Sequence, residues 1–261
     1  MNVELSESEM PKRLSEFRSK YRSNVIGPNY NGYAHLGFVV VGSTLVIATA
    51  ALQIDHPHWT DWICIPVTFV VANFVEYFGH RGPMHHYFKR MGLIFHRHTN
   101  EHHQFFTENW MTCRSQRDFK IVLFPPIMLF FYLGAIAAPM GIFLYFMHGW
   151  NFAMLYVITA MFYFMSYEVM HFFYHLDDEL WVSKLPVLRV LRAHHRTHHQ
   201  LDLMSKYNFN ITWPIADFVM GTIYRKKQQD GKGDSRLQDS VSAENRPPLE
   251  EHVAESGRSH N

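Results

Sequence analysis

Only two cysteines, Cys64 and Cys113, occur in the 261 residues. Two widely spaced thiols build neither a disulfide framework nor a thiolate metal site. No glycine-rich nucleotide fingerprint and no solenoid-type repeat is present. A net charge of +1 removes the electrostatic basis for nucleic-acid binding. The most informative scarcity is positional. All 24 Lys and Arg fall within residues 1–34, 80–120 and 176–261, so the blocks 35–79 and 121–175 contain no cation at all.

Those cation-free blocks are where the apolar residues concentrate. Hydrophobic runs cover residues 36–54 and 62–79, the second interrupted only by Asn73 and Glu76. A longer run, 121–173, exceeds the ~20 residues that one crossing needs. Pro139, Gly141, His148 and Gly149 mark turn territory inside it, which predicts two spans, roughly 121–138 and 150–172, with an apolar or re-entrant piece between them. The expected fold is therefore all-α and polytopic, with about four transmembrane helices in two hairpins and a histidine-rich helical cap. A soluble all-α bundle with buried hairpins is the alternative, and cation exclusion from both blocks argues against it. The connecting loops near 55–61 and 139–149 also lack Lys and Arg. The positive-inside rule then places both termini and both histidine-rich regions in the cytoplasm, with Trp59, Trp62 and Trp150 at the opposite interface. The polar, charged N-terminus predicts no cleavable signal peptide, leaving targeting to the first span. This divides the chain into a cytoplasmic segment 1–33, a membrane domain 34–227, and a tail 228–261 whose Asp, Ser, Glu, Gly and Pro predict disorder.

Histidine is the compositional outlier, at 19 residues. Thirteen lie in two windows, 80–103 and 171–199, and form four clusters: His80 with His85, His98 with His102 and His103, His171 with His175, and His195 with His198 and His199. Pairs four apart, such as His171 and His175, share one helix face and can chelate one ion. The adjacent doublets diverge by about 100° on a helix, so each can serve two ions. Gly82 and Pro83 interrupt the first cluster, which predicts that His80 ends a helix and His85 reaches in from a loop. A lone histidine is ordinarily a packed or solvated side chain, and His35, His56, His58, His148, His252 and His260 are read that way. Ten clustered imidazoles are different: protonated together they repel, whereas neutral they need a shared cation. Imidazole suits zinc, iron, copper and nickel, and ten ligands fit two ions better than one. Glu76 and Glu168 lie near span ends, where a carboxylate is costly unless paired. They are candidates for orienting imidazoles through the nitrogen that does not ligate, or else they snorkel to the interface.

The clusters, in this order and divided by a hydrophobic hairpin, resemble the histidine boxes of the fatty acid hydroxylase/sterol desaturase superfamily. The segment 208–222, from Asn208 through Asp217 and Gly221 to Thr222, resembles the stretch that closes the family's domain. The resemblance covers roughly residues 60–225. It implies that His80, His85, His171, His175, His195, His198 and His199 are metal ligands. The second box departs from the family's HxxHH pattern because position 99 is Thr99. Either His98 or His96 completes that box, together with His102 and His103. His86 and His194 are spares beside assigned ligands, oriented toward them or toward solvent.

The resemblance further implies two iron ions, dioxygen, and hydroxylation or desaturation of a fatty-acyl chain or sterol, with zinc as a substitute metal in isolated protein. It implies a lipid substrate and a separate electron donor of the cytochrome b5 or ferredoxin type with its reductase, since no electron-carrying domain is evident here. The expected location is a bacterial inner membrane or the endoplasmic reticulum. The competing reading is a histidine-rich zinc-binding or metal-transport protein without oxygenase activity. Transport wants ligands along a mid-bilayer path, whereas these histidines flank span ends. Phe105, Phe106, Phe172, Phe173 and Tyr174 are read as core or lipid-facing rather than as a substrate channel.

Overall fold

The computed structural model describes residues 5–226; the expected disordered tail 228–261 lies outside them. Among the described residues the chain is helical and contains no strand. In chain order the helices are α1 (Lys12–Asn24), α2 (Gly32–Ala51), α3 (Cys64–Gly79), α4 (Gly92–Phe95) and the single turn α5 (His103–Phe105). They continue with α6 (Phe119–Val122), α7 (Ile127–Phe131), α8 (Ala138–His148), α9 (Trp150–Tyr174), α10 (Pro186–His198) and α11 (Ile215–Val219). Three π-helical stretches join some of them: His80–Met84 after α3, His96–His102 after α4, and Tyr132–Ala137 between α7 and α8.

Four helical segments are long and apolar enough to cross a membrane: Gly32–Ala51, Asp61–Met84, Gln116–His148 and Trp150–Tyr174. The 25 residues of α9 span roughly 38 Å, against a hydrocarbon core of about 30 Å. Helix α9 is the axis of the domain, packed by α2, α3 and α8. Ala153, Leu155, Ala160 and Met161 are buried along it, and its small residues allow close helix approach. The outer faces are the reverse of a soluble protein's. Val41, Leu45, Val71, Val75, Phe143 and Phe146 are exposed, an apolar girdle that water would not tolerate and lipid would cover. The protein is a multi-pass membrane protein.

The third span differs from the expected one. Instead of ending near residue 138 and yielding to a loop at 139–149, the helix continues to His148, and the reversal is confined to Gly149. Gly149 has φ 93°, a left-handed conformation that glycine adopts without side-chain strain. Pro139 does not stop the helix because it sits in the first turn after the π stretch Tyr132–Ala137, where the regular hydrogen-bond register is already broken. The break falls earlier, at residues 123–126, where Pro125 and Pro126 separate α6 from α7.

The N-terminal helix is tied to the histidine-bearing segment. Arg18 is buried and donates from Nε to the Phe105 carbonyl (2.8 Å) and from Nη2 to the Trp110 carbonyl (2.5 Å). Arg22 forms a two-pronged pair with the buried Asp118 (2.7 and 2.8 Å). Phe105, Phe106 and Phe172 lie in the hydrophobic cluster beneath, and Tyr174 lies in another, as the core reading expects. Where α2 begins, Gly32 leaves no room for a β-carbon, which would collide with the Gln116 carbonyl oxygen.

Candidate metal centre

Spans α3 and α9 end on the same side, and the polar segments 80–120 and 175–224 fold over those ends. The result is two groups of buried imidazoles. One contains His80, His85, His98, His103 and His198, and the other His102, His175, His195 and His199, with the ligand atoms of each group within 4.8 Å of one another. His171 adjoins the second group, its Nε2 standing 3.2 Å from that of His102. In the first group the Nε2 atoms of His80 and His98 are 2.8 Å apart, those of His85 and His198 2.9 Å, and those of His98 and His103 3.1 Å. In the second, His195 lies 3.0 Å from His199 and 3.3 Å from His175.

The outward nitrogens of five rings are held by backbone carbonyls. His102 donates from Nδ1 to the Ile121 carbonyl (3.0 Å), His175 to Met111 (2.8 Å), His198 to Tyr207 (2.9 Å) and His199 to Phe106 (2.7 Å). His80 pairs likewise with the Phe209 carbonyl. A neutral imidazole that gives its Nδ1 proton away presents a bare lone pair at Nε2. The Nε2 lone pairs of His80 and His198 thus converge in the first group, and those of His102, His175 and His199 in the second. That arrangement repels by itself and becomes attractive around a cation. The donor set therefore fits bound metal: all imidazole, buried, neutral and turned inward.

Protonation cannot relieve the repulsion near neutral pH. Burial, reinforced by repulsion from neighbouring imidazoles, depresses the pKa values of His85, His98, His103, His175, His195, His198 and His199 below the ordinary histidine value. Burial likewise pushes His102 down to about 3.

The second cluster acquires its spacing from π-helical geometry. His96–His102 winds more slowly than an α-helix, so positions 98, 102 and 103 take the places that a three-four spacing would occupy in a tighter coil. His98 is the residue that joins the first group, while His96 is exposed and pairs with Glu101 at 3.4 Å. Although four residues apart, His98 and His102 fall in different groups, contrary to the shared-ion reading of that spacing. Thr99 donates to the Met84 carbonyl (2.6 Å), fastening the second cluster to the end of the first. There, too, the chain stays helical beyond His80. The π turn His80–Met84 accommodates Pro83, and His85 caps it. The doublets divide as divergent neighbours should: His103 and His198 face the first group, His102 and His199 the second.

The two acidic candidates touch no imidazole. Glu76 accepts from the Thr212 amide (3.0 Å) and hydroxyl (2.6 Å), and from the Ile211 amide and Tyr163 hydroxyl. Glu168 accepts from the Phe124 amide at 3.2 Å. Each thus holds backbone, one step farther from the imidazoles than expected. His86 is exposed, and His194 sits 3.2 Å from Asp217, outside both groups.

Sequence reasoning assigned no role to Asp217, Asn73 or Arg97. Asp217 is fully buried and accepts from the Phe209 amide (3.0 Å), the Asn210 amide (2.7 Å) and the Thr222 hydroxyl (2.6 Å). Burial pushes its carboxyl upward, but the bonds from His194, Thr222, Asn210 and Phe209 outweigh this and hold it below the usual range. Asn73 fastens the same segment to α3, donating to the Trp213 carbonyl (2.7 Å) and accepting from the Ala216 amide (2.9 Å). The segment they shape carries the Tyr207 and Phe209 carbonyls that receive His198 and His80. The sequence signal available was the polar run within 208–217, lying after the last cluster.

Two apolar cavities reach this centre. One, of about 240 Å³, lies between α3, α7 and α9 and touches His80 at one end. The other, of about 160 Å³, is lined by His98, His102 and His171 and extends to Leu93, Ile94 and Arg97.

A family model described as fatty acid hydroxylase matches residues 65–222, which include all ten clustered histidines and the segment closed by Asp217. No curated protein and no solved structure matches the chain.

Proposed function

This chain belongs to the fatty acid hydroxylase family, and we propose that it is a membrane-bound di-iron oxidoreductase that hydroxylates, or desaturates, a lipid chain or sterol. The observation that carries this reading is the inward convergence of the two imidazole groups, with five of the rings anchored through their outer nitrogens on backbone carbonyls. His80, His85, His98, His103 and His198 would hold one ion, and His102, His171, His175, His195 and His199 the other. When bound, the two irons supply dioxygen activation and an oxidant for an unactivated C–H bond, chemistry that no side chain provides.

The chain's own residues do the rest. The carbonyls of Phe106, Met111, Ile121, Tyr207 and Phe209 fix the ring orientations and tautomers, so that the ligands are set before metal arrives. Burial excludes bulk water and keeps the imidazoles unprotonated. The cavities against His80, His98, His102 and His171 admit an apolar substrate from the bilayer side. For hydroxylation the balance is one C–H bond, dioxygen, two electrons and two protons, giving an alcohol and water. The electrons come from a separate donor of cytochrome b5 or ferredoxin type with its reductase. Cation exclusion from the spans and loops supports a cytoplasmic location for the imidazole groups, and hence for the donor's docking face.

The test is reconstitution of purified, iron-loaded protein in lipid, with a reductase, a donor and dioxygen, followed by product analysis. Oxidised lipid that requires both donor and dioxygen, and that is lost in His198→Ala, is the expected result. Turnover without any added reductant, or product formation by the His198→Ala variant at the unaltered rate, contradicts it.

A further inference from the structure

The two cavities share a wall. Met84, Phe124, Met128 and Tyr167 line both, so the two abut beside the imidazoles, and displacement of these side chains would open one route. Its inner part follows α9 from Tyr167 to Tyr156, a length of roughly 16 Å at the helical rise. That part is mostly apolar, and several of its polar groups are engaged with protein. Tyr132 donates to the Ala160 carbonyl (3.3 Å), Tyr163 to Glu76, and Glu76 is filled by the amides and hydroxyl of residues 211 and 212.

The outer end is different in kind. Leu93 and Ile94 form its rim and are exposed, beside the exposed Tyr87, Phe88 and Met91 with Lys89 and Arg90 among them. An apolar loop with interspersed cations belongs at the bilayer surface, where its apolar side chains dip among acyl chains. Arg97 stands inside this rim. Its Nη2 donates to the Lys120 carbonyl at 3.0 Å, and no carboxylate among the described residues pairs with it. The nearest acid in sequence, Glu101, is occupied by the Tyr21 hydroxyl (2.8 Å) and His96 (3.4 Å). A half-buried guanidinium with unused donors at the mouth of an apolar route is complementary to an anion carried on an apolar chain.

We propose that Arg97 anchors the carboxylate of a single-chain fatty acid whose tail passes the imidazoles and ends against Tyr156 and Ala160, so that Arg97 and this floor set which carbon is presented for oxidation. The assignment rests on the lipid-oxidising reading above, but its binding half stands independently of turnover. A carboxylate is the favoured head because a single guanidinium fork matches its two oxygens, and a single chain because the two cavities are small and abut only at Met84, Phe124, Met128 and Tyr167. Head-outward orientation follows from placing the cation at the surface and the apolar floor within the spans.

Photo-crosslinking of the purified protein in lipid nanodiscs tests this without requiring catalysis. The probes are palmitic acids carrying a diazirine near the carboxyl or near the methyl end, with their methyl esters as uncharged controls and peptide mapping as the readout. The carboxyl-end probe is expected to label residues 93–97, and the methyl-end probe α9 near Tyr156 and Ala160. The esters and the Arg97→Gln variant should show about tenfold to a hundredfold less labelling, the loss of a charge-assisted contact. Arg97→Lys, which keeps the charge but not the fork, should fall between the unaltered protein and Arg97→Gln, and unchanged metal content reports that each variant is folded. Ala160→Phe should abolish methyl-end labelling on α9 and shift the oxidised position, or the preferred chain length, by several carbons. Equal labelling by acid and ester, wild-type labelling in Arg97→Gln, or a methyl end that maps to residues 93–97 would overturn the proposal. Labelling as expected without dioxygen-dependent product keeps the assignment of the route and removes the oxygenase reading. Oxidation without this labelling pattern does the opposite.

Discussion

Replacing Asp217 by Asn should weaken one metal site and spare the other. Asp217 Oδ1 accepts from the Phe209 amide and the Thr222 hydroxyl, and Oδ2 from the Asn210 amide and His194. An amide in this position keeps one oxygen and turns an NH₂ toward two of the four donors. On either side one backbone amide loses its acceptor, while the Thr222 hydroxyl or the His194 ring can turn to accept from the NH₂, so the cost is about 1–3 kcal/mol. The segment relieves that cost by shifting, and it carries the Tyr207 and Phe209 carbonyls that orient His198 and His80. Both histidines belong to the first group. The second group takes its orientation from Phe106, Met111 and Ile121, on other segments. Loss of an outer partner typically weakens metal binding about 10- to 100-fold, or about 1.4–2.7 kcal/mol, comparable with the strain available. Chelator titration with metal analysis is the assay. One equivalent should leave the Asp217→Asn protein at about 10- to 100-fold lower chelator, the second at the unaltered concentration. Equal weakening of both equivalents, or of neither, would refute the reasoning.

Three other outcomes are expected. Glu168→Ala should mirror Asp217→Asn at the second site, because Glu168 holds the Phe124 amide near the Ile121 carbonyl that receives His102, and Glu168→Gln, which can still accept that bond, should restore it. His98→Ala should lower bound metal, whereas His96→Ala, at an exposed side chain outside both groups, should leave it unchanged; metal content after identical purification decides. Metal-free protein should lose stability steeply as pH falls below 6.5. The folded chain keeps its imidazoles neutral down to about pH 3 at His102, while the unfolded chain takes up protons near 6.5. Each such imidazole then costs about 1.4 kcal/mol per pH unit across that window. Unfolding midpoints of chelated protein at pH 7.5, 6 and 5 check it, and a flat profile contradicts it.

The spans and the identity of the clustered histidines were legible because they are written in residue type: apolar runs without Lys or Arg, and imidazoles at helical spacing. The partners of those imidazoles were not, since His80, His102, His175, His198 and His199 all bond to carbonyls, which every residue carries. Glu76 and Glu168 were conspicuous as carboxylates near span ends, yet they bind backbone amides, and no spacing rule reports that choice. Thr99 looked like a broken box because the pattern assumes α-helical winding, whereas the chain there is π-helical. The third span was misjudged where Pro139 follows a π stretch, a context in which proline loses its usual power to end a helix. Arg97 carries no signal in sequence at all, because its lack of a carboxylate partner exists only in three dimensions.

The most direct test of the central claim is the metal content and ligation of protein purified without chelator. Two ions per chain are expected, with X-ray absorption showing a shell dominated by imidazole nitrogen and no sulfur. One ion or none per folded chain, or a sulfur-containing shell, would contradict a two-metal centre built by these ten histidines.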